Sequence, residues 1–111
     1  MKIDEKEENG VLILGISGAV DLVSHTTLHD ALQGYMKAGK IKLILDLQDC
    51  TYVDSSGFSC LISNLHHIID RNGRMVIARP ANIERALRVT GLVETFSIFE
   101  TVEDAVENLA D

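Results

Sequence analysis

The spacing of hydrophobic and polar residues changes several times along this chain, and each change predicts a new element. Residues 3–7 and 11–17 flank an Asn-Gly pair at 9–10, which commonly closes a β-hairpin. The first of these strands is polar, so we expect it at a sheet edge. Gly18 interrupts the second strand, and a loop is predicted up to Ser24, a candidate helix N-cap.

Apolar residues spaced three and four apart predict helices over residues 28–36, 58–71, 83–89 and 102–109. Short apolar runs predict buried strands over residues 43–47, 75–78 and 96–99. Thr101, with Asp104 three residues later, is the predicted cap of the last helix. The predicted order is ββαβαβαβα in one α/β domain covering residues 1–111, with mainly parallel strands and an antiparallel edge from the hairpin.

The tetrapeptide Asp54, Ser55, Ser56, Gly57 lies between a buried-strand pattern and a helix pattern. Residues 49–52 are predicted to form the loop that leads to it, and Ser55 is predicted at the start of the helix. One interpretation is purely structural: Asp54 or Ser55 is the N-cap, and Gly57 permits close backbone approach. The other interpretation is a site of modification, and the tetrapeptide alone does not decide between them.

A phosphoryl group would suit the position of Ser55. The first N–H groups of a helix lack intrahelical partners and the helix dipole is positive there, so an anion is favoured. Phosphate adds a charge of about −1.5 to −2 and three acceptor oxygens. Asp54 opposes this charge from the adjacent position, which suits a switch because the modified state need not be the more stable one.

A second acidic loop, residues 18–21, follows the second strand and contains Asp21. Functional loops of open α/β sheets gather at the carboxyl ends of strands, where Ser55 also falls. If the two strands are neighbours, Asp21 and Ser55 share one surface. Asp21 as a simple turn residue is the equally open alternative.

Composition narrows the possible partners. Seventeen acidic and ten basic residues among 111 give a net charge of −7, and no run of Lys or Arg is present. Nucleic acid is therefore not an expected partner. Apolar stretches are too short to span a bilayer, which requires about 20 residues, and residues 1–8 are charged, unlike a signal peptide. We expect a soluble, cytoplasmic protein without direct membrane insertion.

Motifs for catalysis, metals and cofactors are missing from the sequence. It has no GxGxxG, GxxxxGK[ST], GxSxG, HExxH or CxxC motif, so we predict no enzymatic activity and no cofactor. A serine hydrolase at Ser55 would need a base and an orienting acid nearby, and no oxyanion glycine cluster supports this activity. His25 and His29 have helical ligand spacing but no completing ligand. Cys50 and Cys60 are predicted to be reduced, structural thiols.

The chain resembles the anti-sigma factor antagonist family, a bacterial group built on the STAS domain. The resemblance covers nearly the whole chain, and it rests on four segments: residues 18–21, residues 43–47, the run from Tyr52 to Gly57, and Thr90, Gly91, Leu92. Two residues depart from the family pattern. Ala19 replaces a commonly acidic or polar residue, and Phe58 replaces the usual Leu. Phe58 either enlarges an exposed apolar contact or repacks the helix, and we favour repacking.

The resemblance implies a mixed sheet with helices packed largely on one side. It also implies a cycle in which the unmodified protein binds an anti-sigma factor with serine kinase activity and frees the sigma factor. The kinase phosphorylates the antagonist on Ser55, and a phosphatase of the PP2C type reverses this. The implied partner-binding residues are Asp21, Asp54, Ser55, Ser56, Gly57 and Phe58. Two alternatives stay open: an accessory subunit of a transporter or signalling assembly, and a weak nucleotide-binding module.

Overall fold

Six strands form one mixed sheet in the computed structural model, which describes residues 1–110. The strands are β1 (Lys2–Glu8), β2 (Val11–Val20), β3 (Lys42–Asp46), β4 (Cys50–Val53), β5 (Arg74–Ala78) and β6 (Ile98–Phe99). The helices are α1 (His25–Lys37), α2 (Ser55–Asp70), α3 (Glu84–Val89), α4 (Leu92–Thr95) and α5 (Val102–Leu109), with a 3₁₀ turn at Ala81–Ile83. The strand order is β1-β2-β3-β5-β6, and β4 also pairs with β2. Every pairing is parallel except β1 with β2, so the predicted α/β class with a mostly parallel sheet is confirmed.

Alternation along the strands separates the core into two layers. Leu43 and Leu45 face the side covered by α1 to α4, whereas Ile44 between them faces α5. Successive side chains of a strand point to opposite faces, so a continuous apolar run is required wherever both faces are covered. Four of the five helices lie on one side, and the implied one-sided packing is confirmed.

One predicted loop is wrong, because residues 50–53 form strand β4. The strand β2 has ten residues and β3 has five, so the end of β2 extends past the register of β3. There β4 takes over the pairing, with Gly18 opposite Cys50 and Val20 opposite Val53. The predicted end of the second strand at residue 17 is wrong for the same reason. Gly18 has φ +85 at an irregularity in register, so it bends the strand without ending it.

The predicted order also lacks one helix. Gly91 adopts φ +77 and starts the separate four-residue helix α4, which is too short for its apolar spacing to be recognised. Phe96, predicted as part of the last strand, is instead the C-cap of α4, and β6 contains only Ile98 and Phe99. The observed order is ββαββαβααβα. Among residues 1–110, no helix is long and apolar enough to cross a membrane.

Candidate functional site

The carboxyl ends of β2 and β4 lie side by side. Val20 and Val53 are paired in register, and the Asp54 N–H donates to the Val20 carbonyl at 3.2 Å. Asp21 follows β2 directly and Asp54 follows β4. The predicted arrangement, with the acidic loop and the serine turn at the same sheet edge, is therefore confirmed. Both β3 and β4 pair with β2, and it is β4 that pairs with its last residues and leads directly into the serine turn.

Asp54 connects the two segments through both of its carboxylate oxygens. Its Oδ1 accepts the Gly57 N–H at 2.9 Å, which makes Asp54 the N-cap of α2. Its Oδ2 accepts the Leu22 N–H at 3.1 Å. Of the two N-cap candidates, the structure selects Asp54, and Ser55 becomes the first residue of the helix. The cap and the interstrand connection are thus made by one side chain.

The Ser55 side chain is exposed, and within residues 1–110 its hydroxyl has no hydrogen-bond partner. Ser56, the next residue, is half-buried. Ser55 therefore offers the more accessible oxygen, at a helix terminus whose dipole favours added negative charge. Asp54 carries a carboxylate beside it, so a second anion there would meet repulsion.

Gly57 and Phe58 lie beneath this surface. A Cβ on Gly57 would lie 2.3 Å from the Val20 carbonyl oxygen and 2.7 Å from Val53 Cγ1, so only glycine lets α2 approach the strand ends this closely. Phe58 is 8% exposed and belongs to the core, which confirms the interpretation of repacking. Both residues shape the site from below, and neither contributes an exposed side chain to it.

Asp21 organises the loop that follows β2. Its Oδ1 accepts the N–H groups of Val23 and Ser24, each at 3.0 Å, and the Ser24 hydroxyl at 3.1 Å. These hydrogen bonds, that of the Ser24 backbone above all, lower the pKa of Asp21 from its ordinary value. Asp21 is thus a turn residue that is ionised at neutral pH. The two interpretations of Asp21 are compatible, because the turn holds the carboxylate at the sheet edge.

The structure confirms Ser24 at the N-cap position of α1, although its side chain makes no capping hydrogen bond. Its backbone is already helical, with φ −97 and ψ −17, whereas a capping serine is usually extended. The hydroxyl shares its single hydrogen between the Ala19 carbonyl at 2.8 Å and Asp21 Oδ1 at 3.1 Å, and it accepts the Asp21 N–H at 3.0 Å. Ser24 therefore fastens the loop to the end of β2.

Two residues of the site were missed in the sequence. Leu22 and Val23 are 72% and 86% exposed, in the loop that Asp54 and Asp21 hold in place. Sequence patterns give little signal for them, since two apolar residues in a loop have no period. We refer to Asp21, Leu22, Val23, Ser55 and Ser56 as the carboxyl-edge surface. It combines an apolar pair, an ordered carboxylate and an exposed hydroxyl, a combination suited to docking another protein.

The cysteines lie away from this surface, in the core. Cys50 and Cys60 are free and buried, and burial raises the pKa of both thiols. The prediction of reduced, structural thiols is confirmed. Of the two histidines considered as a metal pair, His29 places its Nδ1 3.0 Å from Asn64 Nδ2.

Comparison with known proteins agrees with this architecture. The family model of the STAS domain matches residues 2–105. The anti-sigma-F factor antagonist RsfB of Mycobacterium tuberculosis is 29% identical over 100 residues, covering 90% of this chain and 82% of its own.

Two solved structures share the fold. An anti-sigma factor antagonist from Mycobacterium paratuberculosis has a TM-score of 0.86 at 22% identity, covering 99% of this chain and 94% of its own. The Bacillus cell fate determinant SpoIIAA in its phosphorylated form has a TM-score of 0.73 at 14% identity, covering 96% and 98%. The match of the family model extends over almost the whole chain, and the chain therefore belongs to the STAS domain family.

Proposed function

We propose that this protein is an anti-sigma factor antagonist that is switched by phosphorylation of Ser55. The observation that carries the proposal is the carboxyl-edge surface, where an exposed serine hydroxyl lies at a helix start beside an ordered acidic loop with two exposed apolar residues. The names of the mycobacterial relatives and the phosphorylated state of the Bacillus structure support it.

In this proposal, the unmodified protein binds an anti-sigma factor with serine kinase activity in the cytoplasm and thereby frees the sigma factor. Leu22 and Val23 would supply the buried apolar contact, since they are exposed in the free protein at 72% and 86%. Asp21 would present its carboxylate at the edge of that contact. The helix start that carries Ser55 would be positioned by Asp54, Ser56, Gly57 and Phe58.

Phosphate on Ser55 would weaken this complex for two reasons. It adds a charge of about −1.5 to −2 next to Asp54, and it places bulk in an interface shaped for a neutral hydroxyl. A charge buried without a partner is costly, so the modified protein would dissociate. A phosphatase of the PP2C type would then restore the binding form.

The test is phosphorylation with ATP by an anti-sigma factor kinase encoded in the same genome, followed by peptide mass spectrometry. We expect one phosphate on Ser55, no phosphate on the Ser55→Ala variant, and a phosphate that is still located on Ser55 in the matched control Ser56→Ala. Phosphate at another position, or on Ser55→Ala, would show that the assignment is wrong.

A further inference from the structure

A polar network joins α1 to α2 in an otherwise apolar contact between the two helices. Its centre is Asn64, which is 0% exposed and is the one buried polar or charged residue among residues 1–110. Asn64 Oδ1 accepts from Gln33 Nε2 at 2.9 Å. Asn64 Nδ2 lies 2.9 Å from the Cys60 carbonyl and 3.0 Å from His29 Nδ1, and Gln33 Nε2 lies 2.7 Å from His67 Nδ1.

The direction of every hydrogen bond in this network is fixed by the Cys60 carbonyl. A backbone carbonyl only accepts, so the atom of Asn64 that faces it is the NH₂ group, and Asn64 Oδ1 faces Gln33. An amide oxygen also only accepts, so Gln33 presents its own NH₂ group to Asn64. Reversing either amide would bring two oxygens into contact.

The Nδ1 atoms of His29 and His67 must then both act as hydrogen-bond acceptors. Asn64 Nδ2 uses one hydrogen for the Cys60 carbonyl and directs the other at His29 Nδ1. Gln33 Nε2 uses one hydrogen for Asn64 and directs the other at His67 Nδ1. A ring nitrogen accepts only when it carries no proton, so both rings must be neutral with the proton on Nε2.

We propose that Gln33, Asn64, His29 and His67 form a pH-sensitive clamp between α1 and α2. Imidazole changes charge between about pH 5 and 8. Protonation of either Nδ1 turns an acceptor into a donor that faces an amide N–H, so the hydrogen bond is lost. At His29 this leaves a hydrogen of the buried Asn64 amide without a partner, whereas the bond between His67 and Gln33 is exposed to solvent. The two rings also lie with centroids 6.5 Å apart, so two imidazolium charges would repel each other.

The charges beside His67 act in opposite directions on an imidazolium, since a carboxylate stabilises it and a guanidinium opposes it. Asp70 and Arg71 line a shallow cleft with Gln33 and His67, one acidic and one basic group beside the same ring. The other titratable groups on the two helices are His25, Asp30, Tyr35 and Lys37 on α1 and Cys60 and His66 on α2. The Cys60 thiol lies 3.6 Å from Asn64 Nδ2, and burial raises its pKa, so it stays neutral over this pH range. The strands beneath contribute the apolar core.

The clamp has a consequence for the geometry of the carboxyl-edge surface. The loop with Asp21 leads into the N-terminus of α1, and Ser55 starts α2, so the packing of the two helices contributes to the spacing between these residues, together with the hydrogen bond from Leu22 to Asp54. Acidification should loosen this packing. The clamp is a property of the helix contact and does not depend on the proposed function.

The first test determines the tautomers in the wild-type protein by long-range ¹H–¹⁵N NMR of the imidazoles. At pH 7.5 we expect His29 and His67 to carry the proton on Nε2 and none on Nδ1. A proton on Nδ1 of either ring at this pH would overturn the proposal. This test needs no variant, so it stands even if a substituted protein does not fold.

The second test compares thermal unfolding midpoints at pH 7.5 and 5.5. In the double variant His29→Gln/His67→Gln, amide oxygens that do not titrate replace the ring acceptors. The fall in the unfolding midpoint between pH 7.5 and 5.5 should therefore be smaller than in wild type by roughly 5 °C. The control His25→Gln/His66→Gln changes the other two histidines and should keep the wild-type response. An equal drop in wild type and His29→Gln/His67→Gln, or a lost response in the control, would contradict the clamp.

Discussion

The carboxylate of Asp54 accepts the backbone N–H of Leu22 at 3.1 Å, across 32 residues of sequence. Because its other oxygen caps α2 through Gly57, one side chain fixes both the helix start that carries Ser55 and the loop that carries the exposed apolar pair. The parallel pairing of β2 with β4 makes this possible, since it ends both strands at the same edge.

Replacing Asp54 by Ala should destabilise the fold by about 1–2 kcal/mol, because it removes the N-cap and the hydrogen bond to Leu22. Urea unfolding measures this loss. Asp54→Asn should cost less, since Asn is an equally good N-cap. The matched control is Asp70→Ala, which removes the same carboxylate from the opposite end of α2 and should leave stability unchanged or slightly raised. Equal losses in Asp54→Ala and Asp70→Ala would contradict the role of the cap.

Gly57→Ala should cost about 2 kcal/mol or more, because the new methyl group would lie 2.3 Å from the Val20 carbonyl oxygen and force α2 away from the strand ends. Chemical denaturation measures the cost. Gly34→Ala in α1 is the control, since nothing lies within 4 Å of the position that its new methyl group would occupy. That variant should gain about 0.5–1 kcal/mol from helix propensity. A neutral Gly57→Ala would mean that the close approach is unimportant.

The pKa of Asp21 should lie below the ordinary aspartate value, and Ser24→Ala should raise it partway. The pKa should not reach the ordinary value, because the largest cause of its lowering, the hydrogen bond from the Ser24 backbone, is kept in the variant. Carboxyl ¹³C titration measures both values, and Thr26→Ala on the following turn is the control. Since the folded pKa is depressed, the ionised loop contributes its full stability above about pH 3.9 and loses it as pH falls through the lower folded value. An unchanged pKa in Ser24→Ala would contradict this account.

Leu22→Ala should weaken binding to the anti-sigma factor while leaving the fold intact. The side chain is 72% exposed, so we expect the free energy of unfolding to change by less than about 0.5 kcal/mol. A central apolar contact is worth about 1 kcal/mol or more, so the dissociation constant should rise about fivefold or more. Calorimetric titration checks this.

The control for Leu22 is Ile69→Ala, which is also exposed, at 54%, but lies about 20 Å along α2 from Ser55. It should bind like wild type. Equal effects of the two substitutions would place the interface elsewhere.

Much of the fold could be predicted, because the apolar core residues recur at the spacing that is typical of the strand or helix to which they belong. The run 43–47 and the helix spacing from Phe58 onward both depend on local burial. The strand β4 could not be recognised, because its four residues are buried, exposed, exposed and buried in turn. This pattern is typical of neither a fully buried strand nor a half-buried strand with strict alternation. The strand forms because its backbone pairs with the end of β2 beyond β3, and such pairing between distant segments leaves no local pattern in the sequence.

The candidate site also has features that could be predicted from the sequence and features that could not. The turn from Asp54 to Gly57 and the proximity of Asp21 follow from chain order and parallel pairing. The exposure of Leu22 and Val23 depends on the connection to Asp54, and the network around Asn64 depends on residues 31 to 35 positions apart. Such cross-element contacts have no local signature in the sequence.

The measurement that tests the central claim most directly is the affinity of the unmodified and the Ser55-phosphorylated protein for the anti-sigma factor kinase. Isothermal calorimetry with a nonhydrolysable ATP analogue present keeps each form intact during the titration. We predict that the unmodified protein binds and that the phosphorylated protein binds at least about tenfold more weakly, a difference of about 1.4 kcal/mol or more. Equal affinities of the two forms would contradict a phosphorylation switch at Ser55.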